Sequence, residues 1–585
     1  MRLICVLLLI LAAGRLSAGA LEVSEAYYRD TNASLHLFLV NNGEEPVSIQ
    51  PPVVDGHDCA SLGRDGLHIS NVLWYRCRPN PIGPGEIADL TITLAKPTDK
   101  AVTVELAASS GQKLRKTIRC APEQIRFQAI RFSRDLRAVD LYVRTSKTVR
   151  RVRMDGKDVG KAWSSFNGLA YTRIRLSEPL APNSFHVFEV EVEGASTAYQ
   201  IRAIPDEFLI GVYGGASPEN IADWAKHGFD HHISFGAIPP DLLDTFAENG
   251  ISVGSKYIKE HLVDRADGRV PLYDEDAART SLSAVAAKQS LLYHHLADEP
   301  DVSDYYAGRI LGATAMELAA RAEFFERNDP GRYTFVQLDN TFRPGNYRVY
   351  GEIADVMATH RYSLGNYLKS EAGESTVKVL PFFEDMVETL DRFRAATEPK
   401  PFFMVPQFFN LGPGRSGRAP SIDEMRLQCY TMLAAGARGF LHYIHSGSTG
   451  GGEGGRTPAL WDGMTGLNDE LRRVGEVVSS GTPAPSGWME CSSPNLLPSV
   501  VVSGDRMAVI LLNLNHRSAL KTFVALPVKG ARIDLRIPPW IDASELEVVP
   551  VEGGSPLSVT RDTDGLHFTV DEVVVARCLI VRPRR

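Results

Sequence analysis

The sequence predicts a multidomain fold in which a (β/α)8 TIM barrel is flanked by N-terminal and C-terminal β-sandwiches. Three observations carry the prediction. Between residues 206 and 482, apolar strand-like runs alternate with helical stretches, the pattern of a parallel sheet with crossover helices. Eight such runs fall within about 240 residues, the number and size of a closed barrel. On either side, apolar residues alternate with period two between Asn-Gly and Pro-Gly breaks, as in antiparallel sheets with one face in a core.

Composition agrees with several packed cores. The 585 residues exceed one ordinary domain, and 44% are hydrophobic against 23% charged. The formal net charge of -8 offers no basic footprint, so no nucleic-acid partner is expected.

In chain order, Arg2, the apolar run Leu3–Ala13 and the small residues Ala18-Gly19-Ala20 read as a signal peptide over residues 1–20. A secreted or periplasmic protein is expected, and with no second long apolar run, no stable membrane insertion. Beyond that segment lie Cys59, Cys77, Cys120, Cys429, Cys491 and Cys578, without CxxC spacing. Export permits disulfides, with Cys59–Cys77 the plausible pair and free buried thiols the equal alternative.

Residues 21–121 read as a first β-sandwich, with runs such as Ser34–Val40 before Asn41-Asn42-Gly43. Asn32-Ala33-Ser34 matches a glycosylation acceptor. Residues 122–205 repeat the style as a second sandwich, with runs at Ala138–Val143 and Val187–Val192. The barrel follows over 206–482. Its expected strands are Phe208–Tyr213, Phe229–Phe235, Ile251–Tyr257, Leu291–Ala297, Tyr333–Leu338, Ala354–His360, Phe402–Gln407 and Gly439–His445. The alternative, an open doubly wound sheet, calls for a glycine fingerprint after the first strand, and Gly211-Val212-Tyr213-Gly214-Gly215 is not one. The glycine-rich stretch Gly447–Gly455 lacks the Gly-Lys-Ser/Thr of a phosphate cradle and reads as a flexible loop at the barrel mouth. Alternation returns over 483–585, as in Met507–Leu514, and predicts the C-terminal sandwich.

The chemistry gathers at His294-His295-Leu296-Ala297-Asp298-Glu299-Pro300. Pro300 stops the fourth strand and leaves two consecutive carboxylates at its C-terminal end, the face where barrels of this kind carry their sites. A carboxylic acid placed there can protonate a leaving oxygen. Other strand ends carry Tyr213, Lys256 and Tyr257, Asp339 and Asn340, His360 and Tyr362, Gln407, and Tyr443 with His445. Aromatic faces of this kind stack on sugar rings, while amides, imidazoles and carboxylates bond hydroxyls, so a carbohydrate is the expected substrate. Trp461 is a further stacking candidate, with packing at the barrel–sandwich seam its alternative. The histidines His231-His232, His294-His295, His360, His442 and His445 form no metal signature, because neighbours on a strand face opposite ways and Gly228 separates His227 from His231. Neither a metal nor another cofactor is expected, no nucleophilic-serine elbow is present, and the sequence sets no oligomeric state.

These residues resemble the barrel-type glycoside hydrolases, in which an Asn-Glu pair often ends strand four and a second Glu ends strand seven. The resemblance implies that Glu299 is the general acid/base. Strand seven departs from it, ending in Gln407 where a nucleophilic carboxylate would stand. Asp298 in place of Asn, together with β modules ahead of the barrel and the Asp298-Glu299-Pro300 motif, is most similar to glycoside hydrolase family 123, the N-acetylgalactosaminidases. That resemblance implies a substrate-assisted reaction, in which Asp298 orients the 2-acetamido group of an N-acetylhexosaminide as internal nucleophile. Two alternatives stay open: a glycosidase drawing a second carboxylate from Asp339, Glu384 (in a turn at Phe382–Asp385) or Glu453, and a non-catalytic carbohydrate-binding barrel.

Overall fold

The computed structural model describes residues 21–62, 71–159, 163–234, 236, 238–256, 262–263, 272–302, 313–339, 346–362, 382–409, 419–444, 458–518, 523–563 and 565–584. They divide into two compact units, one from Met1–Glu123 and Ile310–Glu323, the other from Gln124–Arg309 and Phe324–Arg585. In the first unit, Leu21–Arg29, Ser34–Asn41, Ile87–Leu94 and Val72–Arg78 form one four-stranded sheet. A second sheet of four is built on Val102–Ala107 and Lys113–Ile118. Leu35, Leu37, Leu90, Ile92, Val104 and Leu106 point inward from both sheets into one core. Asn32 is fully buried beside that core, so its side chain is no surface acceptor for glycan. All six described cysteines are free thiols; Cys59 and Cys77 do not pair, their sulfurs lying against different carbonyls, those of His57 and Pro79.

The second unit contains a closed barrel of eight parallel strands. These are Leu209–Tyr213, His231–Ile233, Ser252–Lys256, Leu291–Asp298, Tyr333–Leu338, Val356–His360, Phe402–Val405 and Gly439–His442, here numbered one to eight. Pairing of Leu209 with Gly439 closes the ring. All eight coincide with the expected runs, and several are shorter because the flanking residues form caps and turns. Their side chains are buried on both faces, as a parallel sheet between a lumen and a helical layer requires. Tyr213, Tyr293, Phe335, Phe403 and Leu441 fill the lumen. Gly254 on strand three makes room for one of them: a Cβ there would sit 2.2 Å from the Tyr293 ring.

Local rules set the helices. Ser217 caps Pro218–Lys226, with proline in the first turn, and Gly228 at φ 78° ends the segment before His231 enters strand two. Ser421 and Glu424 form a capping box that starts Ile422–Ala434. Glu384 lies in the helix Phe382–Thr397 and not in the expected turn, because Phe382, Met386, Leu390 and Phe393 recur at helical spacing.

On the N-terminal side of the barrel, Ala138–Arg144 and Phe185–Val192 belong to two four-stranded sheets sharing one core. On its C-terminal side, a five-stranded sheet around Arg506–Asn513 faces a four-stranded sheet around Val528–Leu535. Residues 1–20, where a signal peptide is expected, Tyr257, Asn340, His445 and the glycine-rich stretch with Glu453 lie outside the described residues.

Candidate active site

Strand four positions the carboxylates. His294 faces the helical layer, stacking on Phe325 at 4.2 Å and bonding Asp329 through Nε2 at 2.9 Å. His295 faces the lumen, edge-on to Phe335. The pairing with strand five then slips between His295 and Ala297, and Glu299 adopts φ 49°. A bulge followed by a left-handed residue re-aims the chain, which is how two adjacent carboxylates come to stand at the mouth. Backbone bonds hold Glu299 in this costly conformation: its N–H donates to Gln337 O at 2.9 Å, and its carbonyl accepts from Val302 N at 3.1 Å. Pro300 opens the following helical turn, where its missing N–H is no loss.

Glu299 meets a histidine. His360 Nε2, at the end of strand six, lies 2.7 Å from Glu299 Oε1. On the other side of the imidazole, Nδ1 lies 3.7 Å from Asp339 Oδ1. Asp339 is itself held by its backbone N–H, which donates to Asp301 Oδ1 at 3.2 Å. The His360 side chain is 6% exposed and that of Glu299 38%, so the carboxylate faces the opening and the imidazole stands behind it. Burial alone would disfavour the imidazolium, but the bond to Glu299 and the charges of Glu299, Asp339 and Asp298 prevail and hold His360 above its ordinary value.

Aromatic rings surround this group. Tyr362 stacks on His360 at 4.4 Å and 13°, lies 6.0 Å from Tyr443, and meets Phe409 edge-on at 5.0 Å. Tyr213 packs against Tyr443 at 5.3 Å. The Tyr213 hydroxyl crosses from strand one to donate to Gln337 Oε1 on strand five, opposite in the ring. Burial first, then Asp298 among the nearby charges, pushes the Tyr213 hydroxyl well above its ordinary value. Burial and Glu299 do the same for Tyr362. Both remain neutral hydroxyls, Tyr362 partly exposed at the mouth and Tyr213 fully buried beneath it.

The structure thus brings together Asp298, Glu299, Asp339, His360, Tyr362 and Tyr443 from the sequence-derived set, whereas Tyr213 is fully buried beneath them with its hydroxyl committed to Gln337 and offers no open face to a sugar. Gln407 is buried beneath them: its backbone N–H donates to Gln428 Oε1 at 3.1 Å and its Nε2 to Phe409 O at 3.3 Å, bracing the loop that carries Phe409. Trp461 is no exposed platform. It lies on the helix Pro458–Val478, stacks on Phe229 at 5.4 Å and donates from Nε1 to Asp223. Gln337, Asp301, Phe409 and Gln428 belong to the site and its support but were not singled out from the sequence. Asp301 carried one signal, its place directly after Pro300.

His231 is a satisfied core histidine, bonded to Ser252 Oγ and the Tyr293 hydroxyl at 2.8 Å each, and burial pushes it down to about 3. Among the described residues, no group of three His, Cys, Asp or Glu side chains is arranged to hold a metal ion. No described helix is long and apolar enough to cross a membrane.

No protein-family model matches the chain, and no curated protein does. Among solved structures, it is similar to a protein described as a glycoside hydrolase, at 11% identity and TM-score 0.43 over 65% of this chain and 93% of that one. A glycoside hydrolase family 5 structure from Bacteroides vulgatus ATCC 8482 matches at 12% identity and TM-score 0.43, over 65% of this chain and 90% of that one. A β-galactosidase from the psychrophilic Marinomonas ef1 matches at 12% identity and TM-score 0.35, over 46% and 60%.

Proposed function

We propose that this protein is an exported glycoside hydrolase with Glu299 as general acid/base, acting on N-acetylhexosaminides by substrate assistance. The observation that carries the reading is the Glu299–His360 hydrogen bond of 2.7 Å at the C-terminal mouth of the barrel, with Asp298 adjacent and Asp339 behind. A carboxylate and imidazole this close share their protons as a unit. In the one-proton state, the proton moves to Glu299 and on to the glycosidic oxygen as the bond from the anomeric carbon to that oxygen breaks.

The electron-deficient anomeric carbon requires a nucleophile. Asp298 accepts the N–H of the substrate's acetamido group, and the acetamido oxygen bonds to the anomeric carbon. Water then attacks that carbon, giving up a proton to Glu299, and the acetamido group is released intact. Tyr362 and Tyr443 supply aromatic faces for the sugar, and Tyr362 a neutral hydroxyl. The amide of Gln407, occupied by Phe409 O, favours this route over one needing a carboxylate on strand seven.

Hydrolysis of aryl glycosides with and without a 2-acetamido group, by wild type and Glu299→Gln, tests the reading. Only acetamido sugars should be cleaved, with kcat falling about 10²–10⁴-fold in the variant. Cleavage of plain sugars would move the nucleophile to Asp339, and binding without turnover at any pH would make the barrel a carbohydrate-binding protein.

A further inference from the structure

Beyond Glu299 the chain turns into helix through Pro300 and Asp301, and two hydrogen bonds lace this turn to the end of strand five. The Glu299 N–H donates to Gln337 O at 2.9 Å, and the Asp339 N–H, directly after strand five, donates to Asp301 Oδ1 at 3.2 Å. Asp301 is 2% exposed. A carboxyl group buried this far is costly unless it is hydrogen-bonded, so its place is set by what it holds. Here it holds the backbone of Asp339.

That backbone carries a carboxylate to His360. Asp339 Oδ1 lies 3.7 Å from His360 Nδ1, inside ion-pair range but beyond a hydrogen bond, so a small displacement makes or loses the contact. The groups facing His360 are Glu299 and Asp298 from strand four, Asp339 from strand five, and the Tyr362 ring stacked on it. Glu299 meets Nε2 and Asp339 faces Nδ1. A neutral imidazole carries one N–H, and the other nitrogen presents a lone pair. A carboxylate beside Nδ1 keeps that hydrogen on Nδ1, which leaves the lone pair at Nε2. This is the tautomer that remains once a proton has passed from Nε2 to Glu299. With Asp339 displaced, the hydrogen is drawn instead to Nε2 by the Glu299 carboxylate.

We infer that Asp301 is a positioning residue: it fixes the Asp339 backbone so that the Asp339 carboxylate faces His360 Nδ1 and leaves Nε2 for proton exchange with Glu299. The inference rests on Glu299 and His360 as the proton-transfer pair. Long-range proton–nitrogen NMR of the histidine-labelled full chain, with His360 assigned through His360→Asn, reads tautomer and titration without substrate. The alkaline limb of kcat/KM on aryl hexosaminides reads the same property in turnover. Asp301→Ala should move the His360 titration and the limb to lower pH, in the direction of Asp339→Asn, with KM unchanged. Asp301→Asn, which returns an acceptor oxygen, should recover both. The inference is overturned if Asp301→Ala leaves the His360 titration as in wild type, even with turnover lost, since Asp301 then merely stabilises the turn. It is equally overturned if Asp301→Asn shifts the titration as far as Asp301→Ala, which would make charge and not position the cause. If Asp301→Ala lowers the melting temperature, Asp301→Val, which keeps the volume without the acceptor, replaces it under the same outcomes. A wild type that cleaves no glycoside, with the NMR shifts as expected, would sink the hydrolase reading and leave the role of Asp301 standing.

Discussion

His360 sits between two carboxylates, with Glu299 at 2.7 Å and Asp339 at 3.7 Å, and its imidazolium is stabilised despite burial. The sign of the resulting pH dependence follows. Its folded value lies above the ordinary 6.5, so the stabilisation is fully present below about 6.5 and is lost as pH rises through the raised value. Activity follows the same limb, because the Glu299–His360 pair then has no proton to give. In His360→Asn the imidazole no longer holds a proton beside Glu299, so the alkaline limb of kcat/KM should move to lower pH, whereas the raised His360 carries that of wild type above the ordinary imidazole range. An unmoved limb would remove His360 from proton transfer. Asp298 and Glu299 were legible because Pro300 marks where the strand must stop, and His360 and Tyr362 because they close a strand-like run. Gln337 was not legible, since its bond to Tyr213 depends on which strands stand opposite once the ring closes.

Strand four works only if its neighbour leaves it room. Tyr293 points into the lumen against Tyr333 and Phe335, and its hydroxyl bonds His231 across strand three. Strand three permits this by carrying Gly254, whose absent Cβ leaves the space the ring occupies. Gly254→Ala must displace a ring wedged among aromatic neighbours, and the loss should be about 1–3 kcal/mol by urea denaturation, with the largest amide-shift changes on strands two to five. A neutral result would mean that the lumen is loosely packed. The eight strands were legible because parallel strands buried on both faces read as short apolar runs between helical stretches. Their ends were less so: Phe208 and Phe229 continue the apolar run but pack as flanking side chains, Phe208 edge-on to Phe440 and Phe229 stacked on Trp461. Trp461 is open to both readings in the sequence, a platform or packing, and the helix Pro458–Val478 turns it inward onto Phe229.

Within the second unit, buried polar links tie the N-terminal sheets to the barrel and to the C-terminal sandwich, and these had no sequence signature because their partners lie far apart along the chain. Gln128 Nε2 bonds Thr482 Oγ1 at 2.7 Å, 354 positions away. Arg131 donates to the carbonyls of Pro399 and Gly481. The deepest link joins Arg202, at the end of the strand Ala195–Arg202, to Asp355 just before strand six at 3.0 Å, with both side chains almost wholly buried. Asp355 also accepts from the backbone and side chain of Thr334, and Arg202 donates to the Asn183 and Pro330 carbonyls. Each charge is thus solvated by the other and by fixed dipoles, so removing one leaves its partner stranded in a dry seam. Asp355→Ala should cost about 3–5 kcal/mol by urea denaturation, although Asp355 lies at the opposite end of strand six from His360. Arg202→Met strands Asp355 in turn, together with Glu326 at 3.9 Å from the guanidinium, and should cost a similar amount even though its apolar chain still fills the space beside Phe185, over which the guanidinium lies at 4.3 Å. The double variant should cost less than the sum of the two single losses, and additive losses would mean that water reaches the pair. Non-additive losses would make the Arg202–Asp355 pair a coupled link between the N-terminal sheets of this unit and the barrel.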